Sequence, residues 1–256
     1  MDNNLIARRN DNQAARSLDD EWDLMSKALA KVGMGERATP LPARRSGRLI
    51  VALDLTASRE ASLKHARIAT AAMFDAIKTL GAIQMQLVYY RGLKECRASK
   101  WHNDPGVLSD AMRKLSCETG TTQIARTLRL ALAEKQKVSG VVFVGDHCEE
   151  NADELIGLAK ELRKRSMPLF IFHECADWDQ NSLQAKPVFK GMAEASGGIY
   201  SEFKPDSGAV LREVLSSVAA FSTAGHEGLK QVAPPVTAEG RLLQKNLLLL
   251  PPPEGK

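Results

Sequence analysis

Asp54-Leu55-Thr56-Ala57-Ser58 sets a carboxylate and two hydroxyls at alternate positions directly after the apolar run Leu49-Ile50-Val51-Ala52-Leu53. A short continuous apolar run reads as a buried strand, so these oxygens gather at a strand end. Short oxygen ligands suit a hard cation: Mg²⁺ in the first place, with Mn²⁺ or Ca²⁺ able to substitute. Two further segments offer the same chemistry in the same setting. Gly120-Thr121-Thr122-Gln123-Ile124 is a loop opening a helix, with the Thr122 hydroxyl at its start. Val144-Gly145-Asp146 places a second acid after the run Val141-Val142-Phe143-Val144. Each segment also has a plainer use, because hydroxyls and carboxylates cap helix N-termini. Three loops in this order, each at a strand-to-helix junction, favour a shared site built from Asp54, Thr56, Ser58, Thr122 and Asp146.

The elements that would position them alternate. Strand 48–54 leads into a helix over 60–80, with Leu63, Ala66, Met73, Ile77 and Leu80 on one face and Gly81 as a stop. Ile83, Met85, Leu87 and Tyr89 alternate as a strand, and Arg91-Gly92-Leu93-Lys94 turns it back through Cys96 and Ala98. This is the one hairpin, so its second strand belongs at the sheet edge. Asp104-Pro105 begins a helix with a cap and an N-terminal proline. Helices from Thr122, over 152–164, near 182–195 and around 207–221 then alternate with strands at 141–144, 169–172 and 199–201. The fold class that follows is α/β: a Rossmann-like, doubly wound, mostly parallel sheet with one antiparallel edge strand and helices on both faces. Open sheets of this kind bind ligands outside the carboxyl ends of their strands, where all three loops emerge.

Outside this core, Leu18, Trp22, Met25, Leu29 and Val32 predict a helix over 17–33 that docks on the same domain, followed by a Gly- and Pro-bearing linker. The domain division is therefore 1–46 for this extension, 47–222 for the α/β domain, and 223–256 for a Pro- and Leu-rich extension. In the last of these, Leu242, Leu243 and Leu247 to Leu250 read as a short helix stopped by proline and packed back on the domain.

The 35 basic and 31 acidic residues give a net charge of only +4 and are interspersed, which argues against nucleic acid as a partner. No stretch reaches the roughly 18–20 apolar residues a membrane span needs, and no apolar signal region follows the polar N-terminus. Cys96, Cys117, Cys148 and Cys175 form no CxxC pair, so reduced thiols in a cytoplasmic protein are expected. His147-Cys148 and His173-Glu174-Cys175 hold zinc-type ligands, yet their spacing matches no zinc pattern. Trp101, His102 and Trp178 are candidates for the rim of the upper face.

Taken together, the three loops resemble a von Willebrand factor A domain with a metal-ion-dependent adhesion site, of the bacterial cytoplasmic type. The family's Asp-x-Ser-x-Ser is matched by Asp54-Leu55-Thr56-Ala57-Ser58, its Gly-Gly-Thr-like run by Gly120-Thr121-Thr122, and its Thr-Asp-Gly by Gly145-Asp146-His147. The likeness spans about residues 47–222. Thr56 stands for the first serine, Thr121 for the second glycine and His147 for the last glycine. The resemblance implies that Thr56, Ser58 and Thr122 contact the metal, while Asp54 and Asp146 act largely through bound waters. It implies a non-catalytic module whose metal engages an exposed Asp or Glu of a protein partner, with an AAA+ ATPase or a multi-protein assembly as the expected setting. The competing readings are a Mg²⁺-dependent phosphohydrolase with Asp54 as nucleophile, which lacks an acid at Thr56, and a scaffold with an empty site.

Overall fold

The computed structural model describes residues 47–59, 83–175, 177–202 and 208–250. The expected helices over 17–33 and 60–80 lie outside these residues, as does the linker expected over 34–47 except for Gly47, which opens β1.

Strands β1 (Gly47–Asp54), β2 (Ile83–Arg91), β3 (Glu95–Ala98), β4 (Gly140–Gly145), β5 (Leu169–His173) and β6 (Ile199–Glu202) form one sheet in the order β3-β2-β1-β4-β5-β6. All neighbours are parallel except β2 and β3, whose hairpin turns at Gly92 with a φ of +58°. A 3-10 turn over Ala57–Arg59 and helices α1 (Pro105–Lys114), α2 (Ile124–Ala133), α3 (Ala152–Lys164), α4 (Gln180–Ser196), α5 (Gly208–Gln231) and α6 (Ala238–Leu248) complete the described elements.

Alternation along the strands divides the core. Ile50, Ala52, Val88, Tyr90, Val141, Phe143, Leu169 and Ile171 face one way and pack with Ile124 and Leu128 of α2, Leu155 and Leu162 of α3, and Phe189 and Met192 of α4. The intervening Leu49, Val51, Leu53, Met85, Leu87, Val142 and Phe172 are equally buried on the other face, which α1 and α5 approach. Strands covered on both sides read as unbroken apolar runs, and that is why β1 and β4 were visible in the sequence.

Two elements differ from expectation. Helix α5 passes the boundary placed at 222 and ends at Gln231, because residues 222–231 contain no proline; Gly225, at φ +59°, is a local departure from helical backbone. Trp101 and His102 are not on the upper rim. The antiparallel β3 carries the chain back toward the amino ends of the strands, where His102 pairs with Met85 and Trp101 lies under the Arg48 guanidinium at 4.6 Å. Trp178, after β5, is 86% exposed.

The leucine-rich segment docks as expected. Leu243 and Leu247 of α6 are fully buried, and Asn246 Nδ2 donates to Gly198 O at 3.1 Å. No helix among the described residues is long and apolar enough to cross a membrane.

Candidate metal centre

In the order β3-β2-β1-β4 the crossovers from β1 and β4 run in opposite directions, so the switch point opens above Asp54 and Asp146. Asp54 is fully buried. Its Oδ1 accepts from the Thr56 amide at 2.8 Å and the Thr56 hydroxyl at 2.7 Å, and its Oδ2 accepts from the Tyr90 hydroxyl at 2.8 Å. The Thr56 proton is thereby committed to Asp54, so the Ser58 hydroxyl is the donor across the 3.1 Å to Thr56 Oγ1. Burial and the Asp54 charge push the Tyr90 phenol well above its ordinary pKa, keeping it a donor.

Thr122 enters from the second loop. Its hydroxyl accepts from the Glu149 amide at 3.2 Å, and its own amide donates to Glu149 Oε2 at 3.3 Å. The capping alternative does not describe it. The α2 N-cap is Gln123, which makes no side-chain cap bond, and the Glu150 carboxylate accepts from the Ile124 and Ala125 amides instead. Nor does Asp146 cap α3, since Asn151 does so through Glu154 N.

Thr56, Ser58 and Thr122, together with Ala57, Thr119, Gly120, His147 and Glu149, line one pocket of about 130 Å³. Asp54 and Asp146 are not in its lining. Both are buried, and a methyl placed on Gly145 would meet Asp54 Cβ at 3.3 Å, so the two acid-bearing strand ends are in contact.

No protein-family profile and no curated protein matches the sequence. Solved structures do match. A von Willebrand factor type A protein from Catenulispora acidiphila superposes with TM-score 0.52 at 17% identity over 68% of this chain and 43% of that one. The fold is of the von Willebrand factor A type. An aerotolerance-related membrane protein from Bacteroides fragilis gives 0.55 at 14% identity over 68% of this chain and 98% of its own. The SpaC pilus adhesin from Lactobacillus rhamnosus GG gives 0.58 at 8% identity over 73% and 31%. At such identities the likeness is one of fold.

The departures from the von Willebrand A loop pattern have physical explanations. Thr121 is exposed, and the only described non-glycine residue with positive φ is Ser166, so a side chain at 121 brings no backbone strain. His147 turns its Nε2 to Asp179 Oδ2 at 2.5 Å, with Asp146 Oδ2 at 3.7 Å. Burial alone would lower the His147 pKa, but the Asp179 hydrogen bond and the Asp146, Asp179 and Asp54 charges raise it. The same bond holds Asp179 below the usual carboxylate range while its Oδ1 caps α4 through Asn181 N.

The donor set fits a hard divalent cation. The 3.1 Å between Thr56 Oγ1 and Ser58 Oγ matches the separation of about 3.0 Å between adjacent ligands of an octahedral ion with bonds near 2.1 Å. Thr56, Ser58 and Thr122 would hold it, with Asp54 and Asp146 supplying negative charge from below. Zinc-type ligands are not assembled: among the described residues no three His, Cys, Asp or Glu side chains are placed to hold a metal.

Tyr90, Glu149 and Glu150 were not singled out in the sequence. For the glutamates a signal existed, an acid pair just ahead of the Asn151 cap; for Tyr90 there was none short of the strand register that sets it opposite Asp54.

His173, fully buried, supports the third loop. Its Nε2 donates to Asp146 O at 2.9 Å, which fixes the tautomer and leaves Nδ1 to accept from the Tyr200 hydroxyl at 2.9 Å. Burial lowers its pKa from the ordinary 6.5. A histidine held neutral in the fold contributes fully above its unfolded pKa, and the contribution is lost as pH falls toward the depressed folded value. Urea unfolding should therefore show wild type exceeding His173→Gln most above pH 6.5, with the gap narrowing at lower pH. A gap that widens on acidification contradicts the neutral assignment.

Proposed function

We propose that this domain is a non-catalytic protein-interaction module that uses a Mg²⁺-type ion to engage an acidic side chain of a partner protein. The observation carrying this reading is the pocket into which Thr56, Ser58 and Thr122 project from two separate loops at the switch point, above two buried carboxylates. A divalent ion ligated mainly by neutral hydroxyls stays electrophilic and can accept a further carboxylate. The residues divide the work. Ser58 and Thr122 present oxygens to the pocket, Thr56 is oriented by its bond to Asp54, and Tyr90 and His173 hold the Asp54 and Asp146 positions.

The hydrolase reading is disfavoured by the same geometry. An attacking carboxylate needs an accessible oxygen, whereas Asp54 is wholly buried and both of its oxygens accept protein hydrogen bonds. The four free thiols fit a reducing, cytoplasmic setting. The SpaC adhesin shares the fold, which fits a binding role.

Thermal unfolding with Mg²⁺ or Mn²⁺ tests the reading. A site of this kind stabilises the fold by about 2.7 kcal/mol at a hundred times its Kd. The expected result is a concentration-dependent rise in Tm that Ser58→Ala, an exposed ligand with little structural role, strongly reduces. A Tm indifferent to both ions rejects the metal-dependent module and leaves the empty scaffold. Capture of a partner from extract should likewise be abolished by chelator.

A further inference from the structure

Among the described residues Glu149 is the one carboxylate in the pocket lining, and it belongs to no part of the three-loop pattern. It is held at the mouth by a reciprocal pair of bonds to Thr122: amide to hydroxyl in one direction, amide to carboxylate in the other. These bonds fix its backbone beside a ligand hydroxyl and tie Oε2 at 3.3 Å, while the side chain stays solvent-exposed. Its neighbour Glu150 is engaged elsewhere, capping α2 through Ile124 and Ala125. Asp54 and Asp146 are buried and outside the pocket lining, so among the described residues Glu149 is the acid that meets the pocket from the solvent side. That is the direction from which a partner's Asp or Glu would come.

We infer that Glu149 is an intramolecular acidic ligand for the cation, occupying the place a partner's carboxylate takes. This rests on the metal reading above. Two consequences follow from ligand charge. One anionic oxygen added to a set of neutral hydroxyls tightens the ion and displaces a water. A partner's acid must then displace Glu149 rather than fill a water-occupied position, so the resting chain is self-capped.

The probe is Mn²⁺ alone, with the full chain, read by titration calorimetry and by the water-proton relaxation of the bound ion. Glu149→Gln keeps an acceptor for the Thr122 amide and removes only the charge, so the pocket survives. Glu118→Gln removes an acid that pairs with Arg91 and does not line the pocket. The expected result is a loss of Mn²⁺ affinity of about tenfold and a gain of about one coordinated water in Glu149→Gln, with Glu118→Gln close to wild type. Wild type that binds Mn²⁺ while Glu149→Gln matches it in affinity and hydration overturns this inference and leaves the metal site standing. Equal losses in the two variants, with no change in hydration, reduce Glu149 to a distant charge and also overturn it. Wild type that binds no Mn²⁺ removes both the site and the inference.

Discussion

Asp54→Asn should keep its stability and lose the metal response, whereas Asp54→Ala should lose the metal response and a large share of the stability. The reason is that this carboxylate has two roles. It supplies negative charge beneath the hydroxyls, and it is the common acceptor for Thr56 N, Thr56 Oγ1 and Tyr90 OH inside the protein. An amide can fill most of the second role, because its oxygen takes the Thr56 donors and its NH₂ donates to the Tyr90 oxygen, which keeps one hydrogen bond there with its direction reversed. It cannot fill the first. Alanine leaves the buried Tyr90 hydroxyl and Thr56 amide without that acceptor, and each such loss costs about 1–3 kcal/mol. A drop of roughly 3 kcal/mol in urea-derived stability is expected for Asp54→Ala and under about 1 kcal/mol for Asp54→Asn. Adding Tyr90→Phe to Asp54→Ala should recover part of the loss, because the orphaned hydroxyl is gone. If alanine and asparagine are equally stable, Asp54 is not the structural acceptor described. An intact Mn²⁺ response in Asp54→Asn removes its electrostatic role.

The alanine variant is accordingly a poor probe of function alone, a conclusion the sequence did not offer. Asp54-Leu55-Thr56-Ala57-Ser58 displays its ligand chemistry openly, and the apolar runs on either side of the sheet centre announce β1 and β4. The hairpin at Gly92 was equally legible from its turn residues, and with it the antiparallel edge. What stayed hidden depends on register and return paths. Parallel pairing sets Tyr90 opposite Asp54, but that register is fixed by a crossover whose length says little about alignment. The path of β3 back toward Met85 takes Trp101 and His102 to the far end of the sheet, although their aromatic character suggested a binding rim. Local capping rules also pointed to the nearest hydroxyl, Thr122, where a glutamate 26 residues further on from Ile124 supplies the bonds. Nearby sequence therefore marked the oxygen-bearing residues that meet at the pocket better than it marked what orients them.

The second loop gives the other large effect. Gly120→Ala should unseat Thr122, abolishing the Mn²⁺ response and costing stability at or beyond the upper end of the roughly 1–3 kcal/mol typical of overpacking. A methyl at position 120 would lie 1.9 Å from Gly92 O, 2.2 Å from its carbonyl carbon and 2.6 Å from its Cα. These are backbone atoms, so no rotamer change relieves the clash. Gly92 cannot yield easily, because the β2–β3 turn holds it at φ +58° and its carbonyl also accepts from Gln123 Nε2 at 3.3 Å. Hairpin and loop must separate, and the loop carries Thr122 with it. The glycine is required by this close approach. Gly157→Ala is the matching control: it lies in α3 with nothing within 4 Å of the added methyl, so it should stabilise by about 0.5–1 kcal/mol and leave the Mn²⁺ titration unchanged. Urea unfolding and Mn²⁺ calorimetry on the two variants separate the cases. A Gly120→Ala protein with wild-type stability and wild-type Mn²⁺ affinity would show that the loop's seat on the hairpin does not position the Thr122 hydroxyl.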